Sequence, residues 1–167
     1  MKHILVIATN LVEDVELVEP VEALKKAGHR VTLVSPDEGF LGKHGTKFMR
    51  DATIESISIS EFDALFIPGG FSPDQLRTDD RFVSVVREFM LMSKSVFAIC
   101  HGPQIFIQAG VVKGRILTAT EPVIPDLYFA GAITKDEEVV KDNNLITSRE
   151  PKDIPAFNEA ILSELEG

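Results

Sequence analysis

Short runs of apolar residues at Ile4 to Ala8, Val31 to Val34, Ala64 to Ile67 and Val96 to Ile99 punctuate the first hundred positions of the chain. They lack the polar and apolar alternation of a half-wet strand, so they predict strands buried on both faces. Between them, apolar residues recur at helical spacing. Leu17, Val18, Val21 and Leu24 follow the acidic pair Glu13-Asp14 and end at Gly28, with Pro20 predicting a kink or the true helix start. Phe82, Val85, Val86 and Phe89 fit i, i+3, i+4, i+7 behind the candidate caps Thr78, Asp79 and Asp80. Another helix is predicted from Pro103 to Gly110, and Phe157, Ile161 and Leu165 form a stripe on a last one. Residues 39–53 and 116–147 read as extra strands and turns, with Gly42, Gly45 and Asn143-Asn144 as turn signals.

Strands alternating with helices predict right-handed crossovers, hence an α/β fold with a mostly parallel sheet and helices on both faces. Ligands gather beyond the carboxyl ends of the strands in such sheets. A length of 167 residues fits one domain, 1–167, and 44% hydrophobic with 26% charged residues fits a soluble globular protein. The net charge of −9, with scattered basic residues, disfavours a nucleic-acid-binding surface and attachment to an anionic membrane. No apolar run exceeds five residues, short of a membrane span or a signal-peptide core, so a cytoplasmic location is expected. Cys100 is the only cysteine, which excludes an intramolecular disulfide and a CxxC motif. There is no Walker loop, GxGxxG or HExxH, so neither a cofactor nor a metal is expected.

The carboxyl-end rule directs attention to three junctions: Asn10 to Asp14 after the first strand, Pro68 to Pro73 after the third, and Cys100 to Pro103 after the fourth. A nucleophile on a strand-to-helix turn stands above the sheet near unpaired helix-start N–H groups, which favour a thiolate. Cys100 therefore reads as an activated nucleophile, or alternatively as a buried core cysteine. His101 follows it directly, and successive residues in regular structure do not face each other, so only irregular backbone brings the imidazole to the sulfur. Gly69-Gly70 supplies bare N–H groups for an oxyanion, or simply a tight turn. Glu13, with Asp14, Glu16 and Glu19, reads as a helix-start acid; projecting into a thiolate pocket, it would instead donate a hydrogen bond to sulfur and lower the cysteine pKa.

Taken together, Asn10-x-x-Glu13-Asp14-x-Glu16-Leu17, Gly42-Lys43-His44-Gly45, Phe62 to Gly70 with Pro73-Asp74-x-Leu76-Arg77, Ala98 to Gln104, Ala130-Gly131-Ala132 and Thr147-Ser148-Arg149-x-Pro151-x-Asp153 resemble the ThiJ/PfpI superfamily. The likeness is closest to its PfpI-type intracellular protease and stress-protein branch. It implies a flavodoxin-like three-layer sandwich with Cys100 on a nucleophile elbow, Glu13 hydrogen-bonded to the thiolate, and the N–H groups of Gly70 and His101 forming an oxyanion hole. In protease-like members the histidine beside the nucleophile is proposed as its base, oriented by an acid from a neighbouring subunit. Asp74 matches that acid with an arm one methylene shorter than the glutamate of related archaeal sequences. The segment Val123 to Leu127 departs from the usual lysine-aspartate pattern but keeps Asp126.

The resemblance implies an enzyme of the glyoxalase III or deglycase type, whose substrate is a small dicarbonyl or a glycation adduct. The alternatives are an intracellular cysteine peptidase acting on peptides and a non-enzymatic redox sensor or chaperone with an oxidisable Cys100. A homo-oligomer, a dimer or hexamer, is implied in each case.

Overall fold

His3–Ile7 forms the first strand (β1), and from Ile4 onward its side chains alternate between two separate apolar layers, which is why Ile4 to Ile7 contains no polar position. The computed structural model describes residues Met1–Gly167. In chain order, β1 is followed by helix α1 (Asp14–Lys26), β2 (Arg30–Val34), β3 (Gly39–Leu41), β4 (Lys47–Met49), β5 (Ala64–Ile67), α2 (Ser72–Leu76) and α3 (Asp80–Leu91). Then come β6 (Ser95–Ile99), α4 (Gln104–Ala109), β7 (Ile116–Leu117), α5 (Ile124–Phe129), β8 (Ile133–Thr134), β9 (Val140–Asp142), β10 (Leu145–Ser148) and α6 (Ile154–Glu166).

The main sheet has the order β2-β1-β5-β6-β10-β9, parallel throughout except for the antiparallel edge strand β9. Without that edge, its strands run 2-1-3-4-5, the flavodoxin-like order, whose direction of travel reverses between β1 and β5. Ile4, Val6, Ala64, Phe66, Phe97, Ile99 and Ile146 pack against α1 and α6; Leu5, Ile7, Leu65, Ile67, Val96, Ala98 and Leu145 face α3 and α4. This is the predicted α/β sandwich. No helix is long and apolar enough to cross a membrane.

Local chemistry explains the element ends. Asp79 caps α3 by accepting the Arg81 N–H, and Gly110 ends α4 in the left-handed region at φ 71°. Three expectations need correction. Val31 to Val34 is not buried on both faces, because β2 is the sheet edge and only Val34 is sealed. Pro20 does not start α1 but lies inside it. Residues 116–147 hold a helix as well as strands: α5 carries Pro125 in its first turn, where no N–H partner is needed.

Candidate active site

The connections leaving β1, β5 and β6 meet above the carboxyl ends of those strands, at the topological switch of the sheet. Cys100 stands at the end of β6 with φ 64°, a left-handed conformation that costs on the order of 1 kcal/mol or more for a side chain of this kind. Two hydrogen bonds hold it there. Its N–H donates to Ser148 O over 3.0 Å, and its carbonyl accepts the Thr120 N–H over 3.0 Å. Beyond the elbow, Arg149 is fixed by the buried Asp153, which accepts from Arg149 N and Nε.

The bend at Cys100 resolves the awkward pairing of adjacent residues. His101 Nδ1 lies 3.6 Å from Cys100 Sγ, because the left-handed residue turns the two side chains to the same side. Burial lowers the His101 pKa; the Asp74 carboxylate opposes that fall and the Lys43 ammonium adds to it. The imidazole is thus neutral at neutral pH and able to accept a proton. The Phe71 ring leans against it at 5.8 Å between centroids, with Lys43 Nζ 5.2 Å from the Phe71 ring centre.

The carboxyl group facing Cys100 belongs to Glu16, not Glu13. Glu16 is fully buried, its Oε1 accepts the Gly69 N–H over 2.9 Å, and its Oε2 is sealed from water without a hydrogen bond of ordinary geometry. The Cys100 thiol is the group that this carboxyl faces. Burial pushes Glu16 up to about 8, against the Gly69 N–H, with the nearby charge of Glu13 adding to the push. Glu16 is therefore a carboxylic acid at neutral pH, and a donor. Glu13 instead turns outward from the extended residue before α1, where His44 Nε2 meets its Oε1 at 3.0 Å and Lys43 Nζ its Oε2 at 3.6 Å.

The thiol also departs from expectation. Burial pushes Cys100 up to about 12, and the Glu16 charge adds to this, whereas the Gly70 N–H and the Thr120 hydroxyl favour the thiolate. Residues 101–103 separate Cys100 from the first helical residue, Gln104, so the helix start does not offset burial. The resting pair is a thiol beside a carboxylic acid.

The backbone around the sulfur is packed to glycine dimensions. A Cβ on Gly69 would stand 2.6 Å from Glu16 Oε1, 2.8 Å from Cys100 Cβ and 2.9 Å from His101 N. Gly70 has φ 68°, and a Cβ there would collide with Glu13 N and Leu11 O. Neither the Gly70 nor the His101 N–H donates to a backbone carbonyl, and the former is directed at the sulfur. Asp74 is exposed on α2 and reaches His101 within the same chain as a charge, without a hydrogen bond.

Sequence reasoning thus brought together Cys100, His101 and Gly70, misassigned the buried acid and passed over Thr120 and Phe71. The phase of α1 carries the signal for the acid: Glu16, Pro20 and Leu24 recur every four residues on its buried face, whereas Glu13 precedes the helix.

Known proteins are similar to this chain along nearly its whole length. The DJ-1/PfpI family model matches residues 2–164. General stress protein 18 of Bacillus subtilis is 49% identical, covering 99% of this chain and 98% of its own. Protein/nucleic acid deglycase 2 of Escherichia coli is 47% identical over 96% of each chain. YraA of Bacillus subtilis, provisionally named a cysteine protease, is 45% identical over 98% of each. A crystal structure of a two-domain Anabaena variabilis protein with DJ-1/ThiJ/PfpI-like and ferritin-like domains superposes with a TM-score of 0.97 at 40% identity, over 99% of this chain and 48% of that one. The chain belongs to the DJ-1/PfpI family, whose named members include stress proteins and enzymes.

Proposed function

We propose that the chain is a cysteine-dependent enzyme of the stress-protein branch, acting on reactive dicarbonyls or on the early adducts they form with amino groups. The observation that carries this reading is the thiol of Cys100 held between a neutral imidazole and a buried carboxylic acid, with His101 Nδ1 at 3.6 Å. The name of the Escherichia coli relative supports the substrate class.

With methylglyoxal, Cys100 Sγ attacks the aldehyde carbon, and the thiol proton passes to His101 Nδ1. The S–C bond forms as the carbonyl π pair moves to oxygen, where the N–H groups of Gly70 and His101 meet the negative charge. Proton return from His101 gives a hemithioacetal. Its C–H proton then moves to the neighbouring ketone carbon and its O–H proton to the ketone oxygen, which becomes an alcohol, leaving a thioester on Cys100; Glu16 and His101 are the groups that relay them. Water cleaves the thioester to lactate and restores the thiol. The net reaction adds one water to methylglyoxal.

The same nucleophile attacking an amide gives the peptidase reading, which the name of YraA favours. Wild-type protein and Cys100→Ser, incubated separately with methylglyoxal, a glyoxal-treated lysine peptide and casein, distinguish the readings. Lactate from methylglyoxal, or glycolate with the unmodified lysine side chain restored on the peptide, formed by the wild type alone is expected. Cysteine-dependent cleavage of casein, with no turnover of either carbonyl substrate, would replace the proposal with a peptidase. Release by both proteins would remove Cys100 from the mechanism.

A further inference from the structure

Thr120 opens a 3-10 turn, Glu121–Val123, in extended backbone, the position where a threonine hydroxyl ordinarily accepts a hydrogen bond from the turn's own N–H groups. It makes no such bond. Its N–H is instead fixed to the Cys100 carbonyl at 3.0 Å, which brings the side chain to the sulfur. The strand end behind it is fixed too, since Thr118 N donates to the buried Thr147 Oγ1 over 2.9 Å. The short backbone bond keeps the hydroxyl beside Sγ, where it favours the thiolate together with the Gly70 N–H.

We propose that Thr120 is a catalytic residue of this site, whose hydroxyl donates a hydrogen bond to Cys100 sulfur as the S–H proton leaves for His101. The proton of Thr120 stays on its oxygen throughout. A hydrogen bond to an anion contributes more than one to a neutral thiol, so the hydroxyl lowers the cost of forming the nucleophile. The proposal rests on Cys100 being the reactive group, not on which substrate is turned over.

The test compares alkylation of Cys100 by iodoacetamide in wild type, Thr120→Val and Thr120→Ser. Valine keeps the shape and removes the donor. Losing a hydrogen bond of about one pKa unit, with the partly compensating rise in nucleophilicity of a more basic thiolate, predicts alkylation about threefold slower wherever the thiol is mostly protonated. Serine is predicted to restore the rate to within about twofold. Should valine disturb the fold, seen as a lower melting temperature, Thr120→Ala against Thr120→Ser reads the same contrast. Equal rates for the variants with and without the hydroxyl overturn the proposal. Alkylation needs no turnover, so failure of the dicarbonyl assay with this contrast intact would overturn the substrate assignment alone.

Discussion

Gly69 donates its N–H to Glu16 Oε1 over 2.9 Å, so the turn after β5 and the first turn of α1 grip one carboxyl group beside Cys100. That carboxyl titrates from an ordinary value of 4.5 in the unfolded chain to about 8 in the folded one, chiefly because it is buried. Between those values the native state holds a proton that the unfolded state has released. Stability therefore falls as pH rises through this window. The fall amounts to a few kcal/mol, or roughly 10 °C in melting temperature. Glu16→Gln, neutral throughout, is expected to flatten the dependence, while Glu13→Gln, which removes only a neighbouring charge, reduces it slightly. Melting curves between pH 5 and 8 check this.

Gly69→Ala tests the packing. The added methyl would stand within 2.9 Å of Glu16 Oε1, Cys100 Cβ and His101 N, and two of these are not ends of flexible side chains. A loss of about 1–3 kcal/mol in stability is expected from overpacking. Displacement of the elbow should reduce turnover by about a hundredfold. Denaturant titration and steady-state rates measure the two effects separately.

The charges flanking His101 act in opposite directions. Asp74 favours the imidazolium and Lys43 opposes it. Asp74→Asn should lower the His101 pKa, and Lys43→Met should raise it, each by a fraction of a unit because both side chains reach solvent. NMR titration of the His101 ring reports both shifts, and the acid limb of the activity profile should follow them.

Asp14 organises the mouth from below. It accepts N–H groups from His44 at 2.9 Å and Thr46 at 3.0 Å, holding residues 42–46 where Lys43 and His44 reach Glu13. Although burial alone would raise it, these bonds, led by Thr46, hold its carboxyl below the ordinary range. Asp14→Ala leaves two donors unpaired and should cost about 1–3 kcal/mol. Amide exchange at His44 and Thr46 should accelerate with it.

How much of this was legible in the sequence depended on whether the cause was local. Ala64 to Ile67 is buried between two layers, and its composition said so. Val31 to Val34 is nearly as apolar, with Thr32 its one polar residue, but lies at an edge, because strand order is a tertiary property. Cys100 was legible from its junction, whereas its bond to His101 depends on a positive φ that no residue type at that position announces. Glu13 and Glu16 lie just before and within the first turn of one helix, and only the helical phase relative to Pro20 and Leu24 marks the buried one. Thr120 was invisible because it meets Cys100 across a hydrogen bond between chain-distant segments.

The pairing of Glu16 with Cys100 is tested most directly by the rate of Cys100 alkylation against pH in wild type, Glu13→Gln and Glu16→Gln. In the wild type the rate should climb about tenfold per pH unit and then flatten near about 8. Above that point the carboxylate with a thiol and the acid with a thiolate hold the same number of protons, so the rate levels until the second proton of the pair begins to leave. Glu13→Gln should keep the break, and Glu16→Gln should climb past it without one. A Glu16→Gln profile that overlays the wild type, or a break lost only in Glu13→Gln, would contradict the account.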